Sequence, residues 1–423
     1  MAIVSNPVDL VIFSLGQILI ASAALGFTAP GSSRRHVVIP ILVTFTLCYG
    51  TIASYTIPQP FAAISSMTLC CCCLNYLSMA FLSSWSFEAK GPSARLAKKA
   101  KAESPQSEAR GKGTGEMEAT VLDRLAWGFK SIMSFRDVNT PFEVKNVPHF
   151  VPEDPSYVPT KPAFFVRSAI ILAACYLIID LIESRPPPSD AAEIFSADKL
   201  QLWKRRGEVT VQEVIVRTAA SAGFWVLLRC AIMGGASAIN MVLVALNSVP
   251  VESCRPIMGP ISEAYTLRGF WGKFWTQIPR KIIAEPANYI CDELFIFKKG
   301  TPPSTYAKIF VTFFAAGFLL RIGDVAVGIP LEDSRALQFF CLQAAGIMFE
   351  DAVQYIYRSV TGAKFGAPPR LWTRGLGYIW VVFFLLFLTT PWWAFPAFRM
   401  ILAFPDRVLI PHGISIFKEN PTT

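Results

Sequence analysis

Apolar residues run along this chain in long blocks, parted by shorter polar segments that carry most of the charge. A helix that crosses a bilayer needs about 20 mostly apolar residues. Stretches of that kind fall at Pro7–Phe27, Val37–Ile57, Phe61–Trp85, Pro162–Ile182, Ala222–Val249, Tyr306–Gly328, Ala336–Tyr357 and Gly377–Ile401. The pattern predicts an all-α, polytopic membrane protein of about eight transmembrane helices. Glu213–Ala222, interrupted by Arg217, leaves room for a further short or re-entrant helix. The polar runs suggest three parts: an N-terminal three-helix membrane segment (1–85), a cytosolic linker (86–161) and a membrane core (162–423). Within the linker, Glu88–Glu118 is rich in Ala, Ser, Gly, Lys and Glu and reads as flexible. Leu122–Phe135 reads as an interfacial helix that dips Trp127, Phe129 and Phe135 into lipid.

Composition agrees with a membrane chain. Hydrophobic residues make up 53% and charged residues 16%, against about 25% charged in soluble domains. The net charge of +9 does not point to nucleic acid, because the basic residues sit in short loops between apolar spans. Arg34 and Arg35, the lysines and arginines from Lys90 to Lys112, and Arg358, Lys364, Arg370 and Arg374 fall in alternate loops. The positive-inside rule puts those loops in the cytosol, Glu332 and Asp333 in the lumen, and both termini in the lumen. The four consecutive cysteines Cys70, Cys71, Cys72 and Cys73 point all round a helix and read as membrane packing, with palmitoylation as the weaker option. No cysteine spacing suggests a disulfide framework or a metal site. The N-terminus lacks a charged leader and a clear cleavage site, so the first apolar run is expected to be a retained span.

One segment stands apart: Tyr265–Lys281, YTLRGFWGKFWTQIPRK. Phe270, Trp271, Phe274 and Trp275 recur at helical spacing, with Arg268, Lys273, Gln277, Arg280 and Lys281 between them. Aromatic and basic faces on one helix predict an amphipathic helix lying in the membrane interface. The order of these residues resembles the LRxFWGxxWxQ signature of the wax-synthase-like branch of membrane-bound O-acyltransferases. The resemblance is closest to fungal members that acylate secondary metabolites. Leu337–Gln354 resembles a second stretch of that family, LQFFxxQxxGIxxEDxVQ. Ala316, Gly317, Gly323 and Asp324 keep parts of a third, SG-x-x-H-x-x-GD.

The resemblance implies acyl transfer with acyl-CoA as co-substrate, no bound cofactor, and a lipophilic alcohol as acceptor. It also implies that the catalytic histidine position is Leu320, and that Thr276 stands where relatives carry His or Asn. Neither serves as a general base at neutral pH. The three histidines of the chain, His36, His149 and His412, lie outside the matched stretches and read as residues without a catalytic role.

Ionisable residues inside spans are costly and default to functional candidates. Asp324, Glu350 and Asp351 are therefore the candidate catalytic groups. Arg268, Trp271, Lys273, Phe274, Trp275, Thr276, Gln277 and Arg321 are the candidate substrate-binding residues. Charge pairing is the alternative use of the acids: Arg321 with Asp324 at i,i+3, and Glu350 or Asp351 with Arg358, Arg229 or Arg217. Adjacent acids point about 100° apart, so at most one of Glu350 and Asp351 faces the bundle interior.

The sequence therefore supports a membrane O-acyltransferase that moves an acyl, foremost acetyl, group onto a lipophilic secondary metabolite such as a terpenoid, in the endoplasmic reticulum. The alternative is an intramembrane terpenoid cyclase that uses a carboxylic acid as proton donor, with aromatic faces to stabilise a carbocation. A non-enzymatic transporter or scaffold is a third reading, without the paired broken helices that would favour it.

Overall fold

A computed structural model of the chain describes residues 7–57, 59–92, 119–186, 188–205, 207–326, 328–362, 369–403, 409–410 and 414–417. Most of the predicted flexible linker and His412 lie outside the described residues. In chain order the principal helices are α1 (Pro7–Phe27), α2 (Arg34–Thr56), α3 (Gln59–Leu77), α4 (Val121–Met133), α5 (Lys161–Glu183) and α6 (Val211–Ala245). They continue with α7 (Arg280–Tyr289), α8 (Pro302–Ala326), α9 (Ala336–Thr361), α10 (Leu371–Val382) and α11 (Thr390–Ala403). One short hairpin, Trp85–Ser86 with Gly91–Pro92, is the only sheet among the described residues.

Among the described residues, seven helices are long and apolar enough to cross a membrane. They coincide with seven of the predicted spans. The last is a continuous run, Leu371–Ala403, in which a wider π turn at Phe383–Thr389 joins α10 to α11. The remaining predicted span, Tyr306–Gly328, is helical up to Ala326 as part of α8 but is not among the seven; it carries Lys308, Arg321 and Asp324. Helix starts follow local chemistry. Thr160 and Thr210 accept hydrogen bonds from the third helical N–H of α5 and α6, and Thr120 forms a reciprocal capping box with Asp123 at α4.

Contacts divide the chain into two compact units. The first comprises residues 1–145 and 278–308, the second 146–277 and 309–423. In the first, α4 lies hard against α1. A Cβ on Gly128 would stand 2.1 Å from the Ser22 carbonyl oxygen, so only glycine permits the approach. Val121, Leu122 and Phe129 of α4 are exposed, as an interfacial helix requires. Trp127 instead meets Phe87 edge-on at 5.8 Å.

Buried charge in this unit is paired or hydrogen-bonded. Arg35 is fully buried and donates to the Thr28 hydroxyl and to the carbonyls of Thr28, Ala80 and Trp85. Lys281 meets Asp137 at 2.7 Å, with both side chains under 5% exposed. Its ammonium lies 4.6 Å from the Trp85 ring centroid. Glu285, on the same helix as Lys281, accepts hydrogen bonds from Ser78 and Ser83. Burial pushes its carboxyl above the usual carboxylate range, against the pull of Lys281.

Candidate active site

The aromatic-basic segment does not form the single interfacial helix its spacing predicts. Leu267–Gly269 makes one helical turn, Phe270–Phe274 a π turn, and Trp275 is extended. The physical reason lies in the partners it finds. The Glu350 carboxyl accepts the Leu267 N–H at 2.7 Å, which fixes the start of the turn. Thr266 then accepts the Gly269 N–H at 2.8 Å. Pro279 lacks a donor, and a residue before proline is disfavoured in the helical region, so the turn cannot run on into α7.

A second strap holds the turn from outside. The Gly259 N–H donates to the Phe274 carbonyl at 2.9 Å, and a Cβ on Gly259 would stand 2.0 Å from the Lys273 carbonyl oxygen. Phe270 consequently stacks on Trp275, with centroids 5.8 Å apart and planes 12° from parallel.

The aromatics face inward rather than toward lipid. Leu267, Phe270, Phe274 and Trp275 are buried in one cluster with Trp225 of α6, Phe339 and Phe340 of α9, and Phe384 of the last membrane run. Trp225 meets Trp275 edge-on at 4.7 Å. Trp271 packs on Phe313 and Phe340, each with centroids 5.5 Å away. Its indole N–H donates to Gln343 at 3.2 Å, and the fully buried Gln343 amide donates to Thr389 at 2.9 Å. Gln277 donates to the Trp275 and Trp271 carbonyls. Thr276 is half-buried.

The structure separates the three candidate acids. Glu350 is buried and accepts from Leu267 N–H, Trp380 (3.1 Å) and Gln354 (3.5 Å). Asp351 turns outward and pairs with Arg268, a different partner from the three arginines anticipated. So only one of the adjacent acids faces inward. Asp324 lies on α8, one helical turn beyond Leu320, and Leu320 itself packs against the aromatic cluster. The Asp324 carboxylate accepts from the Ser334 hydroxyl at 2.7 Å and the Trp393 indole at 3.2 Å. Trp393 in turn lies 5.4 Å from Phe339 and 5.7 Å from Phe340, so an aromatic wall connects Trp271 with Asp324.

The predicted Arg321–Asp324 ion pair is not formed; Arg321 donates to the Leu331 carbonyl at 2.8 Å. Lys273 pairs with Glu263 at 2.7 Å. No group of residues able to hold a metal occurs among the described residues. His36 packs on Phe81 with centroids 4.6 Å apart. His149 lines a cavity of about 480 Å³.

Sequence reasoning did not single out Trp225, Trp393, Ser334 or Thr389, and it set His149 aside as a residue without a catalytic role. Each lies in a span or loop with no motif of its own, and only the fold brings them to the cluster or the cavity.

Residues 254–342 match the family described as "Membrane bound O-acyl transferase family". That segment supplies the Gly259 strap, the π turn, α8 and the first part of α9. Curated relatives include "Acetyltransferase pyr8" of Aspergillus fumigatus, 33% identical over 288 residues, which are 66% of either chain. "Acetyltransferase aurG" of Calcarisporium arbuscula is 31% identical over 330 residues, 77% of either chain. "Acetyltransferase atnC" of an Arthrinium species is 28% identical over 67% of this chain and 65% of its own. No solved structure matches. With these matches and seven apolar helices of membrane-crossing length, this multi-pass membrane chain belongs to the membrane-bound O-acyltransferase family.

Proposed function

We propose that this protein transfers an acetyl group from acetyl-CoA to a hydroxyl of a lipophilic secondary metabolite, a terpenoid-like alcohol, in the endoplasmic reticulum membrane. The family and its relatives named as acetyltransferases support membrane acyltransferase activity. They lend no support to the cyclase alternative. The observation that carries the chemistry is the position of Asp324. It sits one turn from Leu320, buried at the end of the aromatic wall, and each carboxylate oxygen accepts one hydrogen bond from a side chain. A carboxylate has about four acceptor sites, so this arrangement fixes the group and leaves lone pairs.

In the proposed reaction Asp324 takes the hydroxyl proton as the alcohol oxygen attacks the thioester carbonyl. The new C–O bond forms, the C–S bond breaks, the thiolate of CoA leaves, and Asp324 passes the proton to it. Glu350 acts as a positioning residue: it holds the Leu267 turn and hence Trp271, Phe274 and Trp275 at the acceptor. Asp351 and Arg268 steady that turn from its outer face, Lys273 does so through Glu263, and Gln277 supports its backbone. Arg321 fixes the loop around Leu331, close to Ser334.

The test is expression in microsomes with labelled acetyl-CoA and a panel of terpenoid alcohols, reading free CoA and product mass together. The expected result is CoA release with an acetyl mass gain, reduced about 100-fold or more in Asp324→Asn. An isomeric product without CoA release would refute acyl transfer. Full activity in Asp324→Asn would refute the assignment of the base.

A further inference from the structure

We infer that the cavity of about 480 Å³ beside the aromatic cluster is an anion site that takes the phosphate groups of the acyl donor. The inference rests on the proposed function. Its walls come from four separate stretches: residues 148–152, one face of α5, one face of α6, and residues 254–260. Arg167, Arg229, Arg255 and His149 line it, and no Asp or Glu does.

Arg229 is the central observation. It lies within a membrane-length helix, where an ionisable side chain is retained at a cost unless something neutralises it. Its guanidinium carbon stands 4.8 Å from the Phe274 ring centroid. One of its terminal nitrogens is buried without a hydrogen-bond partner. Neither Arg229 nor Arg167 has an ion-pair partner among the described residues. Arg167 donates one bond of 3.4 Å to the Phe150 carbonyl. Arg255 donates to the Val147 and Pro148 carbonyls and shapes the wall.

The basic residues of the aromatic-basic segment have partners of their own. Arg268 pairs with Asp351, Lys273 with Glu263 and Lys281 with Asp137, and Arg280 donates to the Lys145 carbonyl. Three cations of the aromatic-basic segment thus carry their own acid, whereas the cavity wall holds none. Guanidinium groups bind phosphate oxygens through paired N–H donors, and a site shielded from water strengthens them. The cavity also lies against the reacting region, because Met233 and Met258 belong to both the cavity wall and the aromatic cluster. A donor anchored there by its phosphates would have its thioester end directed past Phe274 toward the cluster. A phospholipid headgroup offers the same phosphate chemistry, so the experiment separates the two sources.

The full-length protein is purified and reconstituted in phosphatidylcholine nanodiscs and, in parallel, held in phosphate-free detergent. Equilibrium binding of radiolabelled free CoA is measured in both. Arg229→Gln removes the charge, Arg229→Lys keeps it, and Asn240→Asp adds an acid to the wall with almost no change of shape. Expected are saturable CoA binding in both media, a loss of about tenfold or more in affinity in Arg229→Gln and Asn240→Asp, and a smaller loss in Arg229→Lys, which keeps the charge but not the paired donors. Equal affinity in all four proteins would overturn the proposal. CoA binding in detergent that phosphatidylcholine abolishes would overturn the donor assignment in favour of lipid phosphate. The acetyl-transfer assay keeps the two claims apart. An unchanged KM for acetyl-CoA in Arg229→Gln removes the site and leaves the acyltransferase reading. CoA binding that depends on Arg229 without acetyl transfer does the reverse.

Discussion

Two cations in this molecule sit over aromatic rings at almost the same distance, yet they have opposite surroundings. Lys281, in the first unit, stands 4.6 Å from the centroid of Trp85 and is paired with Asp137 at 2.7 Å. Arg229, in the second, stands 4.8 Å from the centroid of Phe274 and opens on a cavity without a carboxylate. A buried cation with its own acid belongs to the architecture, since each partner offsets part of the other's desolvation and removing one leaves a buried charge unpaired. A half-buried cation without one is neutral only when something else supplies the anion. The contrast separates a structural charge from a binding charge by their neighbours, where sequence shows only two basic residues near aromatics.

The sharpest way to break the contrast is to remove each cation. Lys281→Met strands Asp137 and should cost about 3–5 kcal/mol of stability by thermal or denaturant unfolding. Arg229→Gln strands nothing and should cost under about 1 kcal/mol in the same measurement. If the double substitution Lys281→Met with Asp137→Leu regains most of the loss, the penalty came from the stranded acid; if it does not, packing around Trp85 is responsible. Next in size is Gln343→Leu, which leaves the Trp271 indole N–H without its acceptor and should cost about 1–3 kcal/mol. Because Gln343 bears no charge, that loss should be independent of pH.

Glu285 provides a titration of the first unit alone. Burial raises its pKa in the folded state from an ordinary 4.5. The folded form then binds the proton more tightly than the unfolded form, so stability falls as pH rises through and beyond that value. Glu285→Gln should flatten this slope in unfolding measured between pH 4 and 7. An unchanged slope would place the titration elsewhere. The smallest effect belongs to the exposed pair of Arg268 and Asp351. Arg268 is 48% exposed, so Arg268→Gln should change stability by no more than about 1 kcal/mol.

How much of this was legible in the sequence varies by region. The span pattern located seven helices of membrane-crossing length, because burial in lipid demands apolar side chains along a whole segment. The same logic misread Tyr265–Lys281. Aromatics at spacings of three and four fit a lipid-facing helix, but here Glu350 and Gly259 fold the segment into a short turn whose rings pack inward. The angular argument for Glu350 and Asp351 held, because it rests only on helix geometry: Glu350 is buried and Asp351 meets Arg268. The i,i+3 pairing of Arg321 with Asp324 did not form, because Trp393 and Ser334, distant in sequence, reach the carboxylate. The cavity was not legible at all. His149, Arg167, Arg229 and Arg255 come from four stretches with no shared periodicity.

The most direct test of the account is the shift in unfolding temperature caused by saturating CoA in three proteins: wild type, Arg229→Gln, and the Lys281→Met, Asp137→Leu double variant. A ligand at about 100 times its Kd adds about 2.7 kcal/mol to the state that binds it. The account predicts a clear upward shift in the wild type and the double variant, and a shift cut to about half or less in Arg229→Gln, as a loss of about tenfold or more in affinity requires. Equal shifts in all three, or a shift lost only in the double variant, would contradict it.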